Sequence, residues 1–374
     1  MVMAEPGRWI PVSAPALGAR ETEYVLECMR STWISSSGQY IERFEAGFKQ
    51  FCGTEYAVAC NSGTAALHLS MLAVGISPGD EVIVPTLTYV ASANAVRYCG
   101  ATPRFVDSLP DTWNLDPEDV KRKITPNTRA IMPVHLYGEP ADMEPLLDLA
   151  DEHELSIIED AAQAHGAEYV GGRAGSLGRI ATFSFYGNKI ITTGEGGMVV
   201  TNDGELARKA LLFRGQGQDF DRRYWFPVIG YNYRMTNIEA AIGLAQLETI
   251  EERLARRQAI AQRYRANLVE IRGLSIQGTG ERSRSANWMV GVVLPVASAV
   301  ERDQVAMELR DAGVDTRPFF YPIHTMPPYA ADDHGSLPVA IDLAARGICL
   351  PTWEGLGEED IDYICERLVA ALGR

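Results

Sequence analysis

The sequence predicts an α/β fold around a mostly parallel sheet, followed by a smaller C-terminal α+β unit. Three observations carry this. Short, continuous apolar runs recur through the first two thirds of the chain, as strands buried on both faces require. Stretches with helical spacing lie between most of them. Near residue 250 the character shifts to a long charged helix and a looser mixture of elements, which divides the chain into 1–250 and 251–374.

The elements follow in order. "YAVAC" (56–60) reads as a strand, and "TAALHLSMLAVG" (64–75) as a helix stopped by Gly75. Further strands are expected at 81–85, 102–107, 129–138, 155–160, 181–186 and 196–202, with a helix over 142–154. Residues 236–268 read as one long helix that opens with a capping box, Thr236 as N-cap and Glu239 three residues later. "WMVGVVLP", "VERDQVAMELRDAGV" and "EEDIDYICERLVAALG" then read as strand, helix and terminal helix.

A chain of 374 residues is long enough for two substantial cores. Its formal net charge of −15 argues against nucleic acid or an anionic membrane as partner, while leaving room for a local basic pocket. Cys28, Cys52, Cys60, Cys99, Cys349 and Cys365 form no CxxC pair and read as reduced core thiols. The N-terminal residues lack an apolar secretory core, and no stretch approaches the roughly 18 apolar residues of a spanning helix. A soluble cytoplasmic protein is expected.

Within "ATFSFYGNKIITTGEGGMVVTND", Lys189 sits between apolar runs and a glycine cluster. A lysine is rarely buried without a partner. One solution is a Schiff base with an aldehyde cofactor, for which pyridoxal phosphate (PLP) is the candidate. PLP asks for a carboxylate at its ring nitrogen, an anion cradle for its phosphate and a flat group against its ring. Asp160 ends an apolar strand in "LSIIEDAAQAHGAEY" and offers the carboxylate, with Gln163 nearby for the ring hydroxyl; Asp160 would equally serve as a helix cap. Ser62, Gly63 and Thr64 in "CNSGTAAL" stand where a strand gives way to a helix, which makes an anion site or an ordinary capped helix. Ser184 offers a further hydroxyl, and Tyr89 is a flat partner or a core aromatic. Neither "TTGEGG" nor "RGQGQ" completes a nucleotide-binding fingerprint, and no HExxH or Cys/His cluster supports metal catalysis.

"EDAAQAHGAEY", "FSFYGNKIITTGEGGMVVTND" and "GYNYRMTNIEAAIGLAQLE" resemble the sugar aminotransferases of the DegT/DnrJ/EryC1/StrS family. Within it, "SFYGNK", "RRYW" and "GYNYRMTN" are most similar to the GDP-perosamine synthase branch. The resemblance implies the fold-type I PLP architecture and homodimers with active sites shared between subunits. It implies that Lys189 binds the cofactor covalently, Asp160 partners the pyridine nitrogen, Gln163 contacts the ring oxygen and Tyr89 stacks. Ser62, Gly63, Thr64 and Ser184 would hold the phosphate, with Asn232 reaching it from the partner subunit. Relatives that remove a hydroxyl carry histidine at the lysine position, so Lys189 implies amino transfer.

By the same likeness, L-glutamate donates the amine and the C4 keto group of a nucleotide-linked 4-keto-6-deoxy sugar receives it. GDP-4-keto-6-deoxymannose is the first acceptor expected; a dTDP- or UDP-linked keto sugar or a keto-cyclitol is the alternative. Trp33, Ser35, Arg234, Arg317 and His324 are the candidates for binding substrate. Two positions depart from the branch: Phe226 in "RRYWFP" stands where histidine is expected, and Glu239 where a small or apolar residue is expected.

Overall fold

The computed structural model describes residues 8–331 and 334–373. Its first unit is a seven-stranded sheet. In chain order the strands are β1 (Tyr56–Cys60), β2 (Glu81–Pro85), β3 (Thr102–Val106), β4 (Thr128–Ile131) and β5 (Ser156–Asp160). A hairpin, β6 (Glu168–Tyr169) and β7 (Gly172–Arg173), precedes β8 (Ile180–Ser184) and β9 (Gly197–Thr201). The spatial order is β1-β9-β8-β5-β4-β2-β3. Strand β9 runs antiparallel to both neighbours, and the other neighbours pair in parallel. Every residue of β8 and β9 is buried, which explains why apolar residues predominate in both without a polar face.

The helix Gly63–Val74 is apolar on nearly every side because it is covered on nearly every side. It packs on β8 and β9 and against the helices Ala91–Tyr98 and Gly204–Arg214. Gly75 ends it in the left-handed region at φ 91°, where a Cβ would be strained.

Three expectations change. The run 129–138 is a strand only to Ile131; Pro133 has no N–H to donate, and Leu136–Gly138 form a 3-10 turn. The helix at 236–268 is two, Asn237–Leu247 and Ile250–Leu268, broken at Glu248–Thr249. The first packs Ala240, Ala241 and Leu244 into a core with Phe44 and Phe185; the second begins in that core with Ile250 and Leu254 and runs on into another through Ile260, Tyr264 and Leu268. The helices Ala19–Ser31 and Gln39–Cys52, which the reading above does not single out, pack against Asn237–Leu247. Tyr40, Phe44, Phe48 and Cys52 repeat every fourth residue and form the buried face of the second.

The C-terminal unit adds β10 (Ser275–Ile276), β11 (Ser283–Arg284), β12 (Val290–Val293), β13 (Arg317–Pro318) and β14 (Gly347–Leu350). Four of these form an antiparallel sheet in the order β10-β12-β14-β13, while β11 pairs with β6. Ile10 joins the core of this unit and bridges to Val314, so an N-terminal strand-like segment packs at the C-terminal end. All six cysteines are free and buried. Among the described residues no helix is long and apolar enough to cross a membrane.

Candidate active site

The parallel strands point their C-terminal ends at one cavity of about 500 Å³. Asp160, the last residue of β5, is 4% exposed. Its Oδ2 accepts a hydrogen bond from the Ser92 hydroxyl at 2.7 Å and its Oδ1 one from the Ala162 N–H at 3.1 Å. No helix follows at 161–167, so the helix-cap alternative for this carboxylate falls away. Burial pushes the Asp160 carboxyl above its ordinary range, opposed first by the Ser92 hydrogen bond and then by the Ala162 N–H and the charge of Lys189.

Its neighbour Glu159 holds the frame. It accepts from the N–H groups of Gly175, Leu177 and Gly178 at 2.8, 2.8 and 2.6 Å. The fourth contact is His135 Nε2 at 3.0 Å. Because His135 Nδ1 accepts from the Ala141 N–H, Nε2 carries the proton and donates to Glu159.

Lys189 lies on the turn between β8 and β9, anchored by the buried Ile190 and Ile191. Its Nζ sits 3.8 Å from the centroid of the Trp288 ring. Burial pushes its pKa down to about 7; Asp160 opposes that shift and Arg317 adds to it. A lysine poised there deprotonates and reprotonates near neutrality.

At the other end of the cavity, Ser62 caps the helix Gly63–Val74. Its hydroxyl accepts from the Ala65 N–H and its carbonyl from the Ala66 N–H, which leaves the N–H groups of Gly63 and Thr64 for an anion. Two glycines of the cradle leave no room for a Cβ. One on Gly63 would lie 2.6 Å from Ser184 Cβ, and one on Gly197 would lie 2.3 Å from the Ser62 carbonyl oxygen. An anion site, a buried carboxylate and a lysine poised near neutrality line one cavity, and that donor set fits PLP.

Of the residues singled out from sequence, Ser62, Gly63, Thr64, Asp160, Gln163, Ser184 and Lys189 line this cavity. Tyr89 and Arg317 line it as well, with the Tyr89 ring 60% exposed and its centroid 6.0 Å from that of Phe320. Gln163 Oε1 accepts the Tyr137 N–H at 2.7 Å, which fixes the amide with its nitrogen as the donor end.

Five candidates lie elsewhere. The carbonyls of Trp33 and Ser35 accept from Asn237 Nδ2 and N, and the Trp33 ring is exposed. Arg234 donates to the Ser36 hydroxyl at 3.2 Å, and Asn232 is exposed and bridges to Gly215. His324 is engaged by the Thr86 hydroxyl at 2.7 Å, in a 3-10 turn away from the cavity lining. Glu239 belongs to the capping box, its carboxylate accepting from both Thr236 N and Oγ1, so a carboxylate at this position has a local structural use.

Four contributors escaped the sequence reading: Ser92, Tyr137, Trp288 and Phe320. The Tyr137 ring lies nearly parallel to those of Trp288 and Phe320, at 25° and 15°. Nothing local marks them. Ser92 meets Asp160 across 68 residues and Trp288 meets Asn188 across 100.

The comparisons with known proteins agree with this geometry. The profile of the DegT/DnrJ/EryC1/StrS aminotransferase family matches residues 15–369. The chain is 54% identical to a GDP-perosamine synthase of Caulobacter vibrioides, covering 97% of each chain. It is 50% identical to one of Escherichia coli O157:H7, covering 96% of this chain and 98% of that one. The crystal structure of the aminotransferase TlmJ from Streptoalloteichus hindustanus superposes with a TM-score of 0.92 at 32% identity, covering 97% of this chain and 99% of that one. The chain belongs to the DegT/DnrJ/EryC1/StrS family and is a PLP-dependent aminotransferase.

Proposed function

We propose that this enzyme transfers the amino group of L-glutamate to the C4 keto group of GDP-4-keto-6-deoxymannose, giving GDP-perosamine. The observation that carries the acceptor is the 54%, 50% and 44% identity, over nearly the full length, to three proteins named GDP-perosamine synthase.

The bound cofactor supplies an aldehyde that carries the amine and a ring that takes up electrons. The residues around the cavity do the rest. Asp160 holds the proton on the ring nitrogen, with Ser92 and Ala162 keeping the carboxylate charged. Lys189 would hold the cofactor covalently and, as a free amine, would take the proton from the substrate's Cα at Nζ and hand that same proton on to the cofactor's carbon. Gln163 donates to the ring oxygen, and Tyr89 covers the ring. The N–H groups of Gly63 and Thr64, with the hydroxyls of Ser62, Thr64 and Ser184, hold the phosphate. Arg317, on β13, supplies the cation for a substrate carboxylate or phosphate.

The working unit in this reading is a cytoplasmic homodimer with shared sites. Asn232, Trp33, Ser35 and Arg234 then serve the partner's cavity, and His324 supports the substrate side through Thr86. Exposed Tyr224, Trp225, Phe226 and Ile229 form an apolar run that a second copy would cover. The two units, 1–250 and 251–374, meet at the cavity, since Trp288, Arg317 and Phe320 line it from the C-terminal side.

A second reading changes only the acceptor. The chain is 41% identical, over 85% of its length, to a dTDP-3-amino-3,4,6-trideoxy-alpha-D-glucose transaminase of Streptomyces venezuelae. Purified protein with L-glutamate should aminate the GDP-linked 4-keto sugar far faster than its dTDP- or UDP-linked counterparts or a keto-cyclitol. Preference for any of these would replace the first reading.

A further inference from the structure

We infer that the indole face of Trp288 is the seat of the Lys189 ammonium, the place where the freed lysine holds the proton it has taken. The inference rests on Lys189 being the reacting amine. The Nζ stands 3.8 Å from the ring centroid, within the range where a cation is drawn to the face of an aromatic ring. Trp288 is 4% exposed, so the interaction is poorly screened by water.

Two contacts hold the ring in that pose. Its Nε1–H donates to the carbonyl of Asn188 at 2.7 Å, which ties the indole to the residue just before the lysine. Tyr137 lies against it with ring centroids 6.3 Å apart, and Phe320 lies against Tyr137 at 5.6 Å. Tyr137 is itself fixed through its N–H by Gln163. The following Gly138 runs so close that a Cβ there would lie 2.8 Å from the backbone nitrogen of Trp288, so the two backbone segments pack directly on each other. A core tryptophan needs an acceptor for its N–H; this one has it on the lysine turn.

The other groups facing Lys189 divide. Asp160 favours the ammonium, whereas Arg317 and burial disfavour it. Buried His165 is held neutral, first by burial and then by the charges of Lys189 and Arg257. Glu195 lines the same cavity. Trp288 adds attraction for the cation without adding a negative charge of its own beside Asp160. It also leaves the neutral amine free to act as nucleophile.

The test is the acidity of Lys189 in the cofactor-free full-length protein, read by competitive acetylation across neutral to alkaline pH with mass spectrometry of the Lys189 peptide. The parent is compared with Trp288→Phe and Trp288→Leu, each checked for folding by circular dichroism and melting. Tryptophan binds cations best among aromatic faces and leucine not at all, so the pKa should fall from Trp to Phe to Leu. The whole span should be about one unit, a tenfold change in acidity. A residue that only excluded water would give the opposite order, because the smaller side chain admits solvent and the pKa rises. An unchanged or raised value in Trp288→Leu therefore overturns the inference, and Trp288→Phe carries the same test should the leucine variant not fold. Failure of added PLP to protect Lys189 from the label in the parent would instead remove the assignment of Lys189 itself.

Discussion

Ser92→Ala isolates the support of the buried carboxylate. The Ser92 hydroxyl donates to Asp160 Oδ2 at 2.7 Å, and both residues are almost wholly out of water. Without it, the Ala162 N–H at 3.1 Å, on the other oxygen, is the hydrogen bond left to the carboxylate. A hydrogen bond to a charged group contributes about 1.5–3 kcal/mol. At about 1.36 kcal/mol per pKa unit, its loss raises the Asp160 pKa by roughly one to two units. Burial already pushes this carboxyl upward, so the two effects add in one direction. A protonated Asp160 offers no charge to the ring nitrogen. The acid limb of the pH–rate profile for the glutamate half-reaction should therefore move up by about that amount, and PLP affinity at neutral pH should weaken by roughly tenfold or more. Stopped-flow rates over a pH series and a PLP titration of the cofactor-free protein measure both. An acid limb that stays in place, in a variant that melts like the parent, would refute the reasoning.

Two further perturbations follow from the same geometry. The folded-state pKa of Lys189 is about 7 against an ordinary 10.5, so between those values the unfolded chain binds more protons at this site than the folded one. The site therefore costs stability in full below about pH 7 and progressively less as pH rises toward 10.5. Lys189→Met should melt above the cofactor-free parent at neutral pH, with the gap closing at alkaline pH; a gap independent of pH in a melting series would count against the buried lysine. Gly197→Ala should abolish PLP binding, because its Cβ would meet the Ser62 carbonyl oxygen at 2.3 Å and spread the cradle. A PLP titration that matches the parent would show that the cradle tolerates the shift.

The sheet was legible because strands buried on both faces leave short apolar runs, as Val82–Val84 of β2 and Met198–Val200 of β9 do. Lys189 was legible for a related reason, since a lysine set between such runs needs a partner, whereas Asp160 read equally well as a helix cap until the structure showed no helix at 161–167. The overlong strand at 129–138 reflects the weight given to apolar content over Pro133, and the undivided helix at 236–268 reflects a periodicity that carries no signal for the break at Glu248–Thr249. Ser92 and Trp288 could not be read, because each acts through a residue remote in sequence and neither carries a local pattern. Asn232 was picked out by resemblance, Arg234 as a cation for the substrate's diphosphate and Trp33 and Ser35 beside it, and none of the four is among the residues that line this chain's cavity.

The central claim is that Lys189 and Asp160 organise PLP for amino transfer from L-glutamate. The most direct measurement is the visible absorption spectrum of the purified protein reconstituted with PLP, before and after addition of L-glutamate, alongside Lys189→Ala. The account predicts a yellow protein whose band gives way on adding glutamate to that of the aminated cofactor, with release of 2-oxoglutarate, and no such conversion at comparable rate in the variant. A protein that stays colourless with PLP, or a Lys189→Ala variant that converts as fast as the parent, would contradict it.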